Sequence, residues 1–144
     1  MSRKTRERRP GPARPPRTQG KSLLLPMAQS LAMQVSIDNH LTLEVLRRGA
    51  AESFHLASLR QATYFAMLLN AAGYGDARPG LFRETDDAIT RCQASSEQTG
   101  IWRIDDDAFD LLCEVLTLHD RQLATVPMYG LMDATRKLQK AAQK

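Results

Sequence analysis

From residue 22 onward, apolar positions recur at three- and four-residue intervals, and proline or glycine punctuates the runs. That spacing predicts helices. The first begins at Pro26, whose missing N–H suits a first-turn position. It passes through Met27, Leu31 and Val35 towards Leu46, with Gly49 as its stop. The pattern leaves open whether Ser36 to Asn39 divides it. A second helix runs from Ser53, a good N-cap, to Gly73. Between Ser53 and Gly75 the only formal charge is Arg60, and Leu56, Leu59 and Met67 lie opposite Phe54, Phe65 and Leu68. A helix apolar nearly all round is either central or covered by a second subunit.

Pro79-Gly80 marks a loop. The third helix is predicted over Leu81 to Ser95, with Leu81, Ala88 and Cys92 on one face and Asp86, Asp87 and Arg91 in water. Gly100 ends that stretch, and Ile101 to Ile104 alternates apolar with polar, as an extended connector does. Asp105-Asp106-Asp107 then caps a fourth helix from about Ala108 to Ala124. On it Asp110, Glu114, Thr117 and Arg121 share a narrow polar stripe, whereas His119 and Asp120 fall within the apolar arc. Pro127 opens the last helix, with Leu131, Thr135, Leu138 and Ala142 on one face and Arg136, Lys140 and Lys144 on the other. No internal repeat or strand-rich region is present. The expected fold is all-α, a compact bundle of four to six helices over residues 22–144.

Residues 1–21 read differently. Four of the seven prolines fall within the first twenty positions, and beyond Met1 only Ala13 is apolar. Such a segment cannot offset its ordering entropy by burial, so a disordered or polyproline-like arm is expected. Charge sharpens the division. Residues 1–21 carry eight Lys or Arg against Glu7, a net +7; residues 22–135 carry eight Arg against fifteen Asp or Glu, a net −7; residues 136–144 add +4. The sequence pI of about 9.4 therefore comes from the two ends, and the body is acidic.

That layout favours a polyanionic partner, DNA or RNA. Arg3, Lys4, Arg6, Arg8, Arg9, Arg14, Arg17 and Lys21 would neutralise phosphates without reading sequence, with Arg136 and Lys140 as a second contact. The plainer alternatives are a solvated tail and cations favouring a helix dipole. No aromatics interleave the arm, which argues against stacking on single strands.

The length of 144 residues fits one domain able to bury a core. Cys92 and Cys113 lie 21 positions apart with no CxxC. They read as core thiols in a reducing compartment rather than zinc ligands or a disulfide scaffold. Leu23, Leu24 and Leu25 faintly suggest an export signal, but Pro26, Gln29, Ser30 and Gln34 interrupt the apolar run. No stretch approaches the roughly 18 apolar residues of a membrane span. A cytoplasmic protein is expected.

Catalytic signals are sparse. The triple Asp lacks the alternating oxygens and glycine of a calcium loop and reads as a cap. His119 and Asp120 are adjacent on a helix and cannot face each other, so they form no dyad. A carboxylate in an apolar arc needs a partner; Arg60, Arg103 or another helix terminus would serve. We expect a buried polar network of His119, Asp120 and Arg103. His40 reads as a helix-surface residue and His55 as a first-turn residue. HExxH, a glycine-rich phosphate loop and a nucleophile elbow do not occur. No enzyme, cofactor, metal or small-molecule substrate is therefore predicted.

The run Gly100-Ile101-Trp102-Arg103-Ile104-Asp105-Asp106, then His119-Asp120-Arg121-Gln122-Leu123, Pro127 and Leu131, with the earlier Ala71-Ala72-Gly73-Tyr74-Gly75, resembles a group of short proteobacterial proteins. These are commonly labelled Fis-family transcriptional regulators. The resemblance covers about residues 22–140 and implies a dimeric DNA-binding protein. Fis proteins end in a helix-turn-helix whose last helix is rich in Lys and Arg. Here an acidic helix around Asp110 and Glu114 precedes the final segment, with no glycine turn between them, so no recognition-helix residue carries over.

The leading expectation is a small helical regulatory or accessory protein that touches nucleic acid through its arm and forms a homo-oligomer through the second helix. The alternative is a protein–protein adaptor working through its acidic body or that helix's apolar face. In a third reading the +7 arm lies on the −7 body until a polyanion displaces it.

Overall fold

The computed structural model describes residues 17–143. Six helices make up most of this span: α1 Arg17–Leu24, α2 Gln29–Arg47, α3 Ser53–Ala71, α4 Leu81–Thr99, α5 Asp106–Thr125 and α6 Met128–Ala142. Among the described residues there is no strand, and the chain is an all-α bundle. Arg3, Lys4, Arg6, Arg8, Arg9 and Arg14 lie outside the described residues, as does the expected disorder of that part of the arm.

α1 is a helix the sequence pattern does not announce. It begins within the stretch assigned to the arm, so the folded part starts at Arg17 rather than Ser22. Eight residues that include Gly20 are too few to be stable alone. Packing against α6 supports them, and that contact is invisible to local propensity.

The other boundaries follow local chemistry closely. α2 is one continuous helix through Ser36 to Asn39, with the Thr42 hydroxyl donating to the Asp38 carbonyl at 2.8 Å. It starts at Gln29, three residues after Pro26, because the preceding linker is engaged elsewhere. Pro26 pairs with Pro127, and the Met128 N–H donates to the Leu25 carbonyl at 2.8 Å. A second pair of linkers meets where Ala51 bridges Trp102 and the Ile104 N–H donates to the Leu46 carbonyl at 3.3 Å. The expected extended connector thus becomes a backbone clasp.

Gly49 and Gly100 end α2 and α4 with φ of 73° and 76°, a left-handed conformation that glycine adopts without a Cβ penalty. At Gly49 there is a second demand, since a Cβ would lie 2.5 Å from the Arg103 guanidinium. α5 is capped as its sequence predicts: the Asp105 carboxylate accepts the Ala108 N–H at 2.8 Å and pairs with Arg91 at 2.8 Å. Although partial burial acts the other way, that N–H and the Arg91 guanidinium hold the Asp105 carboxyl below its ordinary range. Before α3, Glu52 rather than Ser53 is the N-cap, and its N–H donates to His55 Nδ1 at 2.9 Å.

α3 occupies the centre, packed by α2, α4, α5 and α6. Its buried side chains Leu56, Leu59, Ala66 and Leu69 face those neighbours. One face of the helix is therefore covered within the chain, while Phe54 is 59% exposed and Phe65, Met67 and Leu68 are half-buried. The main core joins Leu43, Leu46, Leu59, Ile89, Leu112 and Leu116. A second, smaller one joins Ala32, Leu69, Leu123, Val126, Leu131 and Ala134. Cys92 is buried and Cys113 half-buried; both are free thiols whose burial pushes their pKa up. No helix among the described residues is long and apolar enough to cross a membrane.

Candidate functional site

Two regions carry chemistry that the packing of the core does not explain. One is a basic end built by α1 and α6. Lys21 sits in the last turn of α1, and Arg136 and Lys140 lie one turn apart on α6, the helix against which α1 packs. All three are exposed. Lys137 is paired with Asp133 at 3.3 Å. Lys21, Arg136 and Lys140 have no carboxylate partner among the described residues.

The body arginines are used differently. Arg60 reaches Asp86 at 3.6 Å and Gln93 at 3.0 Å. Arg78 bridges Glu84 and Glu114 at 2.7 and 3.0 Å, and Arg121 meets Asp76 at 3.5 Å. On α2, Arg47 and Arg48 both bind Glu44, whose carboxyl is lowered to about 2 by these two guanidinium hydrogen bonds. Most of the positive charge in the acidic body is thus paired with carboxylates, Arg83 and Arg103 excepted, whereas the α1–α6 end presents three cations without carboxylate partners.

The second region surrounds His119. The expected network of His119, Asp120 and Arg103 does not form. Asp120 instead accepts from His40 of α2, Nε2 to Oδ2 at 2.8 Å. Its other oxygen, Oδ1, is the one buried side-chain nitrogen or oxygen without a hydrogen-bond partner among the described residues. Arg103 precedes α5, more than three helical turns from His119, and donates to the Arg48 carbonyl at 3.3 Å. Consecutive helix residues project about 100° apart, so His119 and Asp120 necessarily meet different neighbours.

His119 turns inward and is 3% exposed. Its Nδ1 lies 2.9 Å from Gln122 Oε1, one turn along α5. The Gln122 amide nitrogen donates to the Ala66 and Tyr74 carbonyls at 3.1 and 2.9 Å. With that nitrogen committed, the Gln122 oxygen can only accept, so the proton resides on His119 Nδ1. Phe65 meets the imidazole edge-on with centroids 5.5 Å apart. Burial pushes the His119 pKa below its ordinary 6.5, against the upward pull of Gln122 and Asp120. The ring is therefore neutral, with Nε2 left as a bare acceptor.

Beside His119 a cleft of about 430 Å³ opens between α2 and α6. These two helices do not pack directly on each other. Val35, Ala62, Phe65, Leu123 and Leu131 line the space with His119, and Met27 and Met128 close one end beside the paired linkers. Gln122 is the residue whose role the sequence reading missed. Its spacing of three from His119 within an otherwise apolar arc was the available signal. The cleft itself had none, since its walls come from two helix pairs, α2 with α3 and α5 with α6, that are far apart in sequence. No cluster of three or more His, Cys, Asp or Glu able to hold a metal ion occurs among the described residues. No protein-family model matches the chain, and no curated protein or solved structure matches it.

Proposed function

We propose that this is a small helical regulatory or accessory protein that holds nucleic acid by its phosphates. The contacts come from Arg3, Lys4, Arg6, Arg8, Arg9, Arg14 and Arg17, from Lys21, and from Arg136 and Lys140 on α6. One observation carries the reading: three exposed cations without carboxylate partners, Lys21, Arg136 and Lys140, lie on α1 and α6, two helices that pack together, and α1 follows directly on the arginine-rich N-terminal residues. Polyanions are attracted there and repelled by the carboxylates of α4 and α5. The resemblance to proteins labelled Fis-family regulators implies the same ligand class. Contacts of this kind position a duplex without reading its bases.

Titrating the full chain against duplex DNA at two salt concentrations tests this. If the net +7 of residues 1–21 engages phosphate, log affinity falls with log salt at a slope of about −6. Removing residues 1–16 abolishes most of that dependence. Arg136→Gln with Lys140→Gln reduces the slope by about 2. Binding that is absent, or indifferent to salt, overturns the reading. Competition with duplex RNA then distinguishes the two nucleic acids.

A second reading, as a protein–protein adaptor or self-associating module, draws on a different surface. Met33, Ile37 and Leu41 are spaced by four on the solvent face of α2, and Ile37 and Leu41 are 48% and 59% exposed. A stripe of this kind is a surface for association. It is a second face, beside the exposed Phe54 end of α3, through which a homo-oligomer would form. Solution mass measured across a concentration series checks it; a strict monomer whose mass Ile37→Glu leaves unchanged removes self-association.

A further inference from the structure

We propose that the cleft between α2 and α6 is a binding site for a small, uncharged, largely apolar molecule that donates one O–H or N–H hydrogen bond to His119 Nε2. The inference is independent of the nucleic-acid reading and uses none of the same residues.

Three features converge on it. Its volume of about 430 Å³ falls within the roughly 300–1,000 Å³ of ordinary small-molecule pockets. The walls are chiefly aliphatic and aromatic, with Val35, Phe65, Leu123 and Leu131 among them, so an occupant gains by apolar burial. Then there is the acceptor. His119 is 3% exposed, forms part of this wall, and has its Nδ1 proton committed to Gln122. Nε2 has no hydrogen-bond partner among the described residues, yet it is not sealed from open space as Asp120 Oδ1 is. The cleft is where that access lies. A donor brought in by a ligand would pair with this acceptor, which is open to the cleft.

The charge of the occupant follows from the same geometry. An anion would need a protonated imidazole, which burial of the ring opposes. A neutral donor does not. Phe65 lines the same wall, edge-on to the imidazole, and an aromatic wall suits an aromatic donor, so phenols and indole-like N–H heterocycles are the favoured class.

Matched naphthalenes test this on the full chain: 2-naphthol as the donor, 2-methoxynaphthalene with the donor capped, and 2-naphthoate as the anion. We expect saturable amide shifts in NMR spectra at Phe65, His119 and Leu131, with 2-naphthol bound about three- to tenfold more tightly than 2-methoxynaphthalene, the worth of one hydrogen bond. The His119 Nε2 resonance, observed directly, moves with 2-naphthol and not with its ether. Ala62→Phe fills the cleft and abolishes these shifts. Ser58→Trp obstructs the rim from an exposed position that does not endanger folding and weakens 2-naphthol at least fivefold. The proposal is overturned by equal affinity for the ether, by tightest binding of the naphthoate, by wild-type affinity in Ser58→Trp, or by a still Nε2 resonance while 2-naphthol binds. Shifts of the same amides that depend on protein concentration without any probe would assign the cleft to a second copy instead.

Discussion

The two ends of this bundle are built to different standards of packing. Around Leu46, Leu59, Ile89, Leu112 and Leu116 the side chains are 0% exposed, and four helices with a linker clasp close the core on every side. At the α6 end the core is smaller and edged by half-buried residues. Two of its helices stand apart with a cleft between them, and the exposed leucines Leu23, Leu24 and Leu25 lie nearby. Charge follows this line in part: Arg78 and Arg91 are paired with carboxylates around α4 and α5, whereas Lys21 on α1 and Arg136 and Lys140 on α6 are not. The tightly packed core and the proposed binding surfaces thus lie in different parts of one small molecule. Full packing leaves no room for a ligand at the tight end, whereas the loose end keeps a cleft.

The sharpest way to break this contrast is to remove the same atoms from each end. Leu112→Ala opens a hole that cannot collapse and is expected to cost about 3–5 kcal/mol, whereas Leu131→Ala merely widens an existing cleft and costs about 2. Urea denaturation of both variants measures the difference, and equal losses would mean that the two ends are packed alike.

Protonation separates the ends by pH window. The folded pKa of His119 lies below its unfolded value of 6.5, so the unfolded chain takes up the proton first. Stability is then complete above about pH 6.5 and declines as pH falls below it, by at most about 1.4 kcal/mol per unit. At the tight end Glu44, lowered to about 2 from 4.5, contributes stability above pH 4.5 that is lost as pH falls towards 2. Urea midpoints between pH 7.5 and 5 for wild type and His119→Phe check the first window, where the variant should lack the decline.

Smaller effects are expected at the surface. Asp105→Ala removes both the cap on α5 and the pairing with Arg91, at about 1–2 kcal/mol. Asp105→Asn retains a capping oxygen and recovers most of this in thermal melts. Ile37→Glu, on the open face of α2, should alter stability by no more than about 0.5 kcal/mol, which makes it a clean probe of self-association.

Much of the fold was legible along the chain because its determinants are local. Glycine at 49, 73 and 100 ends helices by its own backbone freedom, and Asp105 caps α5 through an N–H three residues away. The nearly uniform apolar circumference of α3 announced a helix that is central or covered by a second subunit, and its contacts with α2, α4, α5 and α6 make it central. The candidate sites were less legible. Lys21, Arg136 and Lys140 could be named from charge, but only the packing of α1 on α6 brings them to one end.

His119 was flagged, yet its partner was misassigned. Which helix an inward side chain meets depends on how helices are rotated against one another, and periodicity carries no information on that rotation. Asp120 finds His40 from eighty residues away for the same reason. A cleft is still further from local reading, being the space that four separately encoded surfaces fail to fill. One-dimensional pattern settles where backbone hydrogen bonds begin and end, because those are satisfied within a few residues. Which side chains meet, and where a gap remains, is decided when the helices pack.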